Sequence, residues 1–160
     1  MVSCGGCTLC CTVMQVDMAP LDEPHKPALA ACRHCEDRGC SIYDRRPKAC
    51  RAFQCMWLQT QEFPEGRRLP LSERPDRTGI VLEVIRKGHI VAYCRSPDAW
   101  RVDPARKRLM SFVSLGLTVT IKHGGDRMSL LERDGSATPL EYVGTDPLTN
   151  EKRYRRSKPA

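Results

Sequence analysis

The side chains best suited to chemistry lie at the N-terminal end of the chain: Cys4, Cys7, Cys10 and Cys11, then Cys32, Cys35, Cys40, Cys50 and Cys55. A thiolate is both a metal ligand and a nucleophile. Two cysteines with two residues between them can be presented from one tight turn, and three such pairs occur here: Cys4/Cys7, Cys7/Cys10 and Cys32/Cys35. One pair alone is shared with thiol–disulfide motifs. Nine of the chain's ten cysteines in its first third, with two chelating turns far apart in sequence, point instead to metal chelation. All nine are candidate ligands.

A single four-thiolate site would leave five of them without a partner, whereas two sites would use eight. Cys10 and Cys11 are adjacent, so their thiols diverge and suit two neighbouring centres, or one polynuclear centre, better than a single ion. Zinc fits such donors, and so does iron–sulfur. Cys4, Cys7 and Cys10 match the start of the bacterial ferredoxin run, but Cys11 follows directly and no Cys-Pro closes the run. That disfavours a plain ferredoxin and leaves zinc against an iron–sulfur cluster open. His25 and His34 are possible nitrogen ligands, although a lone histidine is more often simply surface or core.

The elements that must position these residues are short. Gly5 and Gly6 suit a tight knuckle with the backbone close to sulfur. Residues 12–18 alternate weakly, as a short strand would. Pro20, Pro24 and Pro27 mark a loop. Pro47 suits a first helical position, and a helix over 47–58 would align Cys50, Phe53 and Trp57. Cys55 would then lie about 140° from Cys50 around the axis, so the helix ends or bends near Cys55, or the two thiols serve different centres. Residues 61–77, with Pro64, Gly66, Pro70 and Pro75, read as a linker or wrapping loop.

Beyond it the texture changes. Residues 79–94 read as a β-hairpin across Arg86–His89. Asp103-Pro104 reads as a cap and first helical residue, opening a helix that stops at Gly116. Residues 117–121 and 128–131 read as two more strands. The expected fold is therefore α+β: an irregular, metal-stabilised Cys-rich module over 1–60, then a small ββαββ unit over 78–133. From 134 onward apolar periodicity is lost, and a basic, mobile tail is expected through 160. Cys94, inside an apparent strand, reads as a buried free thiol, and Trp57 and Trp100 read as core.

The whole chain has 160 residues and a formal charge of +7. Residues 101–160 carry twelve Lys/Arg and seven Asp/Glu, +5 of that total, concentrated in Lys152, Arg153, Arg155, Arg156 and Lys158. Such a run is usually a solvated end, with a protein or nucleic-acid contact as the weaker reading. Four thiolates around Zn²⁺ leave a net charge of about −2, which Arg33, Arg38, Arg45, Arg46 and Arg51 can neutralise. No apolar run reaches the roughly 20 residues of a membrane helix. The start Met1-Val-Ser-Cys4 shows no basic-then-apolar leader, so a cytoplasmic location is expected, where clustered cysteines bind metal more often than they form disulfides. No phosphate loop, His-Glu-x-x-His or nucleophile elbow is visible. If the chain is an enzyme, an iron–sulfur oxidoreductase is the expected kind.

The run Cys4-x₂-Cys7-x₂-Cys10-Cys11, the block Cys40-Ser-Ile-Tyr43-x₂-Arg46-Pro47-x₂-Cys50-Arg51-x-Phe53 and the following Cys55 resemble the YkgJ-type cysteine-cluster family. Thr8 stands where members often carry Gly. The resemblance covers about the first 58 residues. Members are described as zinc- or iron-chelating proteins and often as iron–sulfur oxidoreductases. It implies that Cys4, Cys7, Cys10, Cys11, Cys40 and Cys50 are ligands and that Tyr43, Arg46, Pro47 and Arg51 support the site.

Three functions follow as expectations. The first is a metal-binding protein with two centres, zinc or iron–sulfur, mainly structural. The second is an iron–sulfur electron-transfer protein. The third is a zinc-knuckle nucleic-acid-binding module that uses the basic tail.

Overall fold

The structure is a computed structural model that describes residues 4–16, 26–37, 39–125 and 127–157. His25, residues 17 and 18 of the expected strand, Pro20, Pro24, Arg38 and Lys158 lie outside the described residues. The fold is mixed helix and sheet. Its frame is one six-stranded sheet in sequence order, β3 (Ile80–Arg86), β4 (His89–Cys94), β5 (Thr118–His123), β6 (Arg127–Leu131), β7 (Ala137–Thr145) and β8 (Lys152–Arg156). Neighbours pair antiparallel except β4 and β5, which run parallel. A parallel pair needs a crossover, and the helix α5 (Ala105–Ser114) supplies it.

Periodicity explains both elements of that crossover. Ala105, Leu109 and Val113 recur every four residues and form the buried stripe of α5. They meet Ile80, Leu82, Ile90, Ala92, Cys94, Val119 and Ile121 on one sheet face, with Trp100 and Leu131 closing the core. The helix ends because Gly116 takes φ +81°, letting its N–H reach the Val113 carbonyl (3.0 Å) and the Leu117 N–H reach the Phe112 carbonyl (3.0 Å). Its cap is Pro104, with no side-chain hydrogen bond, rather than the expected Asp103.

Residues 80–82 are buried on both faces of β3. Ile80 and Leu82 face α5, while Val81, fully buried, faces away from it against Leu9 and Val13. The N-terminal segment therefore covers the sheet face opposite α5. It does so as a helix, α1 (Leu9–Val13), so residues 12 and 13 of the expected strand are helical, while Met14 is extended and Val16 forms an isolated antiparallel bridge with Lys26. Leu9 and Val13 are four apart, so one helical turn puts both on Val81. Apolar anchoring thus overrides the weak alternation.

The expected helix over 47–58 is two helices, α2 (Lys48–Ala52) and α3 (Met56–Thr60), separated where Phe53 and Cys55 turn extended. Residues 61–77 form tight turns and a short helix, α4 (Pro75–Thr78), tied to the frame. Arg108 of α5 donates two hydrogen bonds to Glu73 (2.7 and 2.8 Å), and Thr60 Oγ1 accepts from the Leu69 N–H (3.1 Å).

The expectation of a four-strand unit followed by a mobile basic tail is corrected by β7 and β8. They form a hairpin that extends the sheet. Tyr142 and Tyr154 oppose each other with ring centroids 5.8 Å apart, and Arg155 and Arg156 pair with Glu141 and Glu132. Cross-strand pairs hold this hairpin, and an apolar stripe does not.

Candidate metal centre

The thiols reach one region from separate segments. Cys4 and Cys7 flank a knuckle in which the Cys7 N–H points at the carbonyls of Cys4 (3.2 Å) and Gly5 (2.7 Å). Gly5 takes φ +52°, and a Cβ there would sit 3.4 Å from Arg74 Nη1. The positive φ is what favours glycine there, since a Cβ would meet Arg74 only at ordinary contact distance. Cys10 and Cys11 lie on α1, about 100° apart around its axis. Cys35 and Cys40 face each other in the small hairpin β1 (Cys35–Glu36) and β2 (Gly39–Cys40). Cys50 lies on α2, and Cys55 is the residue that begins α3.

Two groupings emerge. Cys4, Cys7, Cys10 and Cys55 line one pocket together with Trp57, Leu58, Pro75 and Val81. Trp57, expected in the core, is half-buried at this pocket, where its indole N–H donates to the Pro70 carbonyl (3.1 Å). Trp100 is in the core as expected. On the other side of α1, the Cys32 N–H donates to the Cys11 carbonyl (2.9 Å) and the Cys35 N–H to the Cys32 carbonyl (2.9 Å). The Cys11 thiol is hydrogen-bonded to both Cys10 and Cys35. Cys50 stands within electrostatic reach of Cys11, Cys32 and Cys40. His34 lies in the turn between Cys32 and Cys35, and its carbonyl accepts from the Ser41 N–H (3.0 Å).

Crowding of thiols sets their acidity. Burial, and then the neighbouring Cys7, raises the pKa of Cys4, while Arg46 opposes that rise. Its hydrogen bond with Cys11, then burial, pushes Cys10 well up. Cys11 is the converse case. The hydrogen bond with Cys10, helped by Lys26 and Arg46 against burial, brings it down. Burial, then the charges of Cys11, Cys32 and Cys40, raises Cys50. Burial also raises Cys35 and Cys55. The adjacent Cys10–Cys11 pair therefore carries one negative charge more readily than two, and further thiolates need a cation to absorb their charge.

Three cations stand where that charge gathers. Arg46 acts on Cys4, Cys11 and Cys50. It is fixed by stacking on Tyr43 (3.6 Å to the ring centroid) and by a hydrogen bond to the Tyr43 carbonyl (2.8 Å). Arg74, gripped by Asp76 through two hydrogen bonds (2.6 and 2.7 Å), acts on Cys7. Lys26 lies beside Cys32, Cys11, Cys10 and Cys35, and its ammonium donates to the carbonyls of Thr12 and Met14 at the end of α1 and to that of the adjacent Pro27. Arg51 is exposed on α2.

Arg74, Asp76 and Lys26 were not anticipated from sequence. Only tertiary structure brings them to sulfur, and no spacing signals them.

All ten cysteines carry free thiols. Among the described residues, no three Cys, His, Asp or Glu side chains converge closely enough to hold an ion in the rotamers present. The donor set nevertheless fits a thiophilic metal in kind and number: four thiols border one pocket, and five gather across α1.

Cys94 stands apart. It is buried in β4, its S–H is directed at the Ala92 carbonyl (3.7 Å), and burial pushes its pKa up to about 12. A buried neutral thiol is inert. Native alkylation of metal-free protein is therefore expected to label cysteines of the cluster and leave Cys94 unmodified until denaturant is added, as peptide mass mapping would show. Early labelling of Cys94 would contradict its placement.

No described helix is long and apolar enough to cross a membrane. No family model, no curated protein and no solved structure matches this chain.

Proposed function

We propose that this chain is a metal-binding protein whose N-terminal cysteines chelate zinc or an iron–sulfur cluster, in two centres, chiefly to hold that part of the chain together. The observation that carries the reading is the clustering of nine cysteines on five short stretches of backbone, with four thiols bordering one pocket and Cys7, Cys10 and Cys55 packed against Leu9, Val13 and Val81. The same region is poor in other cohesion. Among its described residues, Leu9, Val13 and Leu58 are the buried apolar side chains. Metal binding would then serve as folding energy. Arg46, Arg74 and Lys26 would offset the negative charge of the thiolates. The resemblance to the YkgJ-type family supports the same reading.

Bound zinc would supply a structural cross-link, and an iron–sulfur cluster would add electron transfer. A visible spectrum of anaerobically purified protein separates them. Iron–sulfur ligation gives a brown protein with a reducible band near roughly 400 nm, and a colourless protein holding only zinc excludes the electron-transfer reading. Nucleic-acid binding through the basic end draws less support, because Arg153, Arg155 and Arg156 are each engaged with a carboxylate of Asp146, Glu141 or Glu132.

Arg46 gives a sharper test of the electrostatics. Supporting groups around a metal site typically contribute 10–100-fold in affinity, and Arg46→Gln is expected to weaken metal retention by about tenfold. Competition with a chromophoric chelator measures this. Unchanged retention would show that Arg46 serves only to stack on Tyr43.

A further inference from the structure

Resting on the metal-binding reading above, we propose that the nine cysteines form two distinct ligand sets divided by the α1 helix: Cys4, Cys7, Cys10 and Cys55 in one, and Cys11, Cys32, Cys35, Cys40 and Cys50 in the other. The division does not follow the sequence. Chain order would group Cys11 with Cys4, Cys7 and Cys10, and Cys55 with Cys50. The fold exchanges those two residues.

The backbone makes the exchange. Cys55 leaves its sequence neighbours because the chain turns extended between α2 and α3, and Cys55 then lines the same pocket as the knuckle and Cys10. Cys7, Cys10 and Cys55 also pack on the same buried trio of Leu9, Val13 and Val81. Cys11 lies one residue beyond Cys10 on α1, about 100° further round the axis. Its carbonyl is bound by the Cys32 N–H, and its thiol is bound to Cys35, which pairs with Cys40 across the small hairpin, as well as to Cys10, a contact that crosses the division. The flanking cations divide in part in the same way. Arg74 serves Cys7, Lys26 lies chiefly beside the second set (Cys32, Cys11 and Cys35) but also beside Cys10, and Arg46 reaches into both sets.

The sets are unequal. A tetrahedral ion uses four thiolates. The first set supplies four, and the second has one to spare. The first should therefore lose its metal when any one member is removed, while the second should tolerate one loss better.

The test uses the full-length chain. Cys4→Ser/Cys7→Ser removes two ligands that either grouping places together. Wild type and variant are loaded with zinc, dialysed against a competing chelator, analysed for metal, and alkylated without denaturant. Fragment-resolved mass mapping then reads each cysteine. The variant is expected to keep about half the wild-type metal. Cys10 and Cys55 should react at least about tenfold faster than in wild type, while Cys11, Cys32, Cys35, Cys40 and Cys50 stay protected. The mirror variant Cys32→Ser/Cys35→Ser should expose Cys11, Cys40 and Cys50 and protect Cys4, Cys7, Cys10 and Cys55.

Protection of Cys55 with exposure of Cys11 in the first variant would overturn the division in favour of chain order. Loss of all metal from a folded variant would show a single polynuclear centre. Fluorescence of the buried Trp100 reports whether the sheet has folded. Should a variant fail to fold, wild type stripped of half its metal and alkylated at once must show the same two protected sets, and protection mixed between them would overturn the proposal. A wild-type protein that holds no zinc would instead refute the metal-binding reading itself.

Discussion

Removing metal with a strong chelator under reducing conditions is expected to unravel the cysteine region and leave the six-stranded sheet folded. The asymmetry follows from where apolar burial lies. The sheet and α5 enclose a core of twelve buried residues, including the fully buried Leu109, Val119 and Ala92. The cysteine region contributes Leu9 and Val13 to a second, smaller core, and its helices α1, α2 and α3 are five residues each, far too short to persist alone. Structural metal sites contribute apparent binding energies on the order of 10 kcal/mol, so their loss should dominate that region. Limited trypsinolysis reads the effect. Cleavage after Arg33, Arg45, Lys48 and Arg51 should accelerate by roughly a hundredfold or more on chelation, while sites within β3–β6 remain slow. Identical digestion patterns with and without chelator would show that metal does not hold the region.

Leu109→Ala should have the largest effect of any conservative core substitution, and it should act on the opposite side of the sheet. Leu109 is fully buried at the centre of the α5 stripe against β3, β4 and β5. Truncation removes its transfer energy and leaves a cavity, together worth about 2–5 kcal/mol. For a chain of this size that corresponds to a Tm lowered by roughly 10 °C. Leu148→Ala, at a position 94% exposed, is the control and should change stability by less than about 0.5 kcal/mol. Metal content of the Leu109→Ala protein should stay at the wild-type level, because Leu109 and the thiols lie on opposite faces of β3. A variant as stable as wild type would contradict the central place of α5. One that loses its metal would show that the two faces are coupled.

Parts of this organisation were legible in the sequence because period and chemistry agreed there. Cysteine spacing singled out the nine thiols as candidates, and two apolar runs flanking the turn at Arg86–His89 marked the hairpin over residues 79–94. The α5 stripe was legible because Ala105, Leu109 and Val113 sit at helical spacing with Gly116 beyond them.

Elsewhere the deciding contact was non-local. Residues 12–18 alternate like a strand, but the seat that Val81 offers to Leu9 and Val13 draws residues 12 and 13 into a turn of helix, leaving extended chain from Met14 and a single bridge at Val16. The break between Cys50 and Cys55 was legible only as an angular conflict. Its resolution required knowing that Cys55 joins the knuckle. The β7–β8 hairpin carries no apolar stripe and is held by Tyr142 against Tyr154 and by Arg–carboxylate pairs, so its sequence read as a tail. Arg74 and Lys26 are ordinary basic residues until the fold sets them beside sulfur.

The central claim is that the cysteines carry metal. Native mass spectrometry of protein purified anaerobically, without added metal, tests it most directly. The account predicts compact, low-charge ions heavier than the bare chain by about two zinc ions or by the mass of iron–sulfur clusters. They should lose that mass together with their compactness on acidification, as thiolates are protonated. Compact ions at the bare-chain mass, with nine cluster thiols free to alkylation, would contradict it.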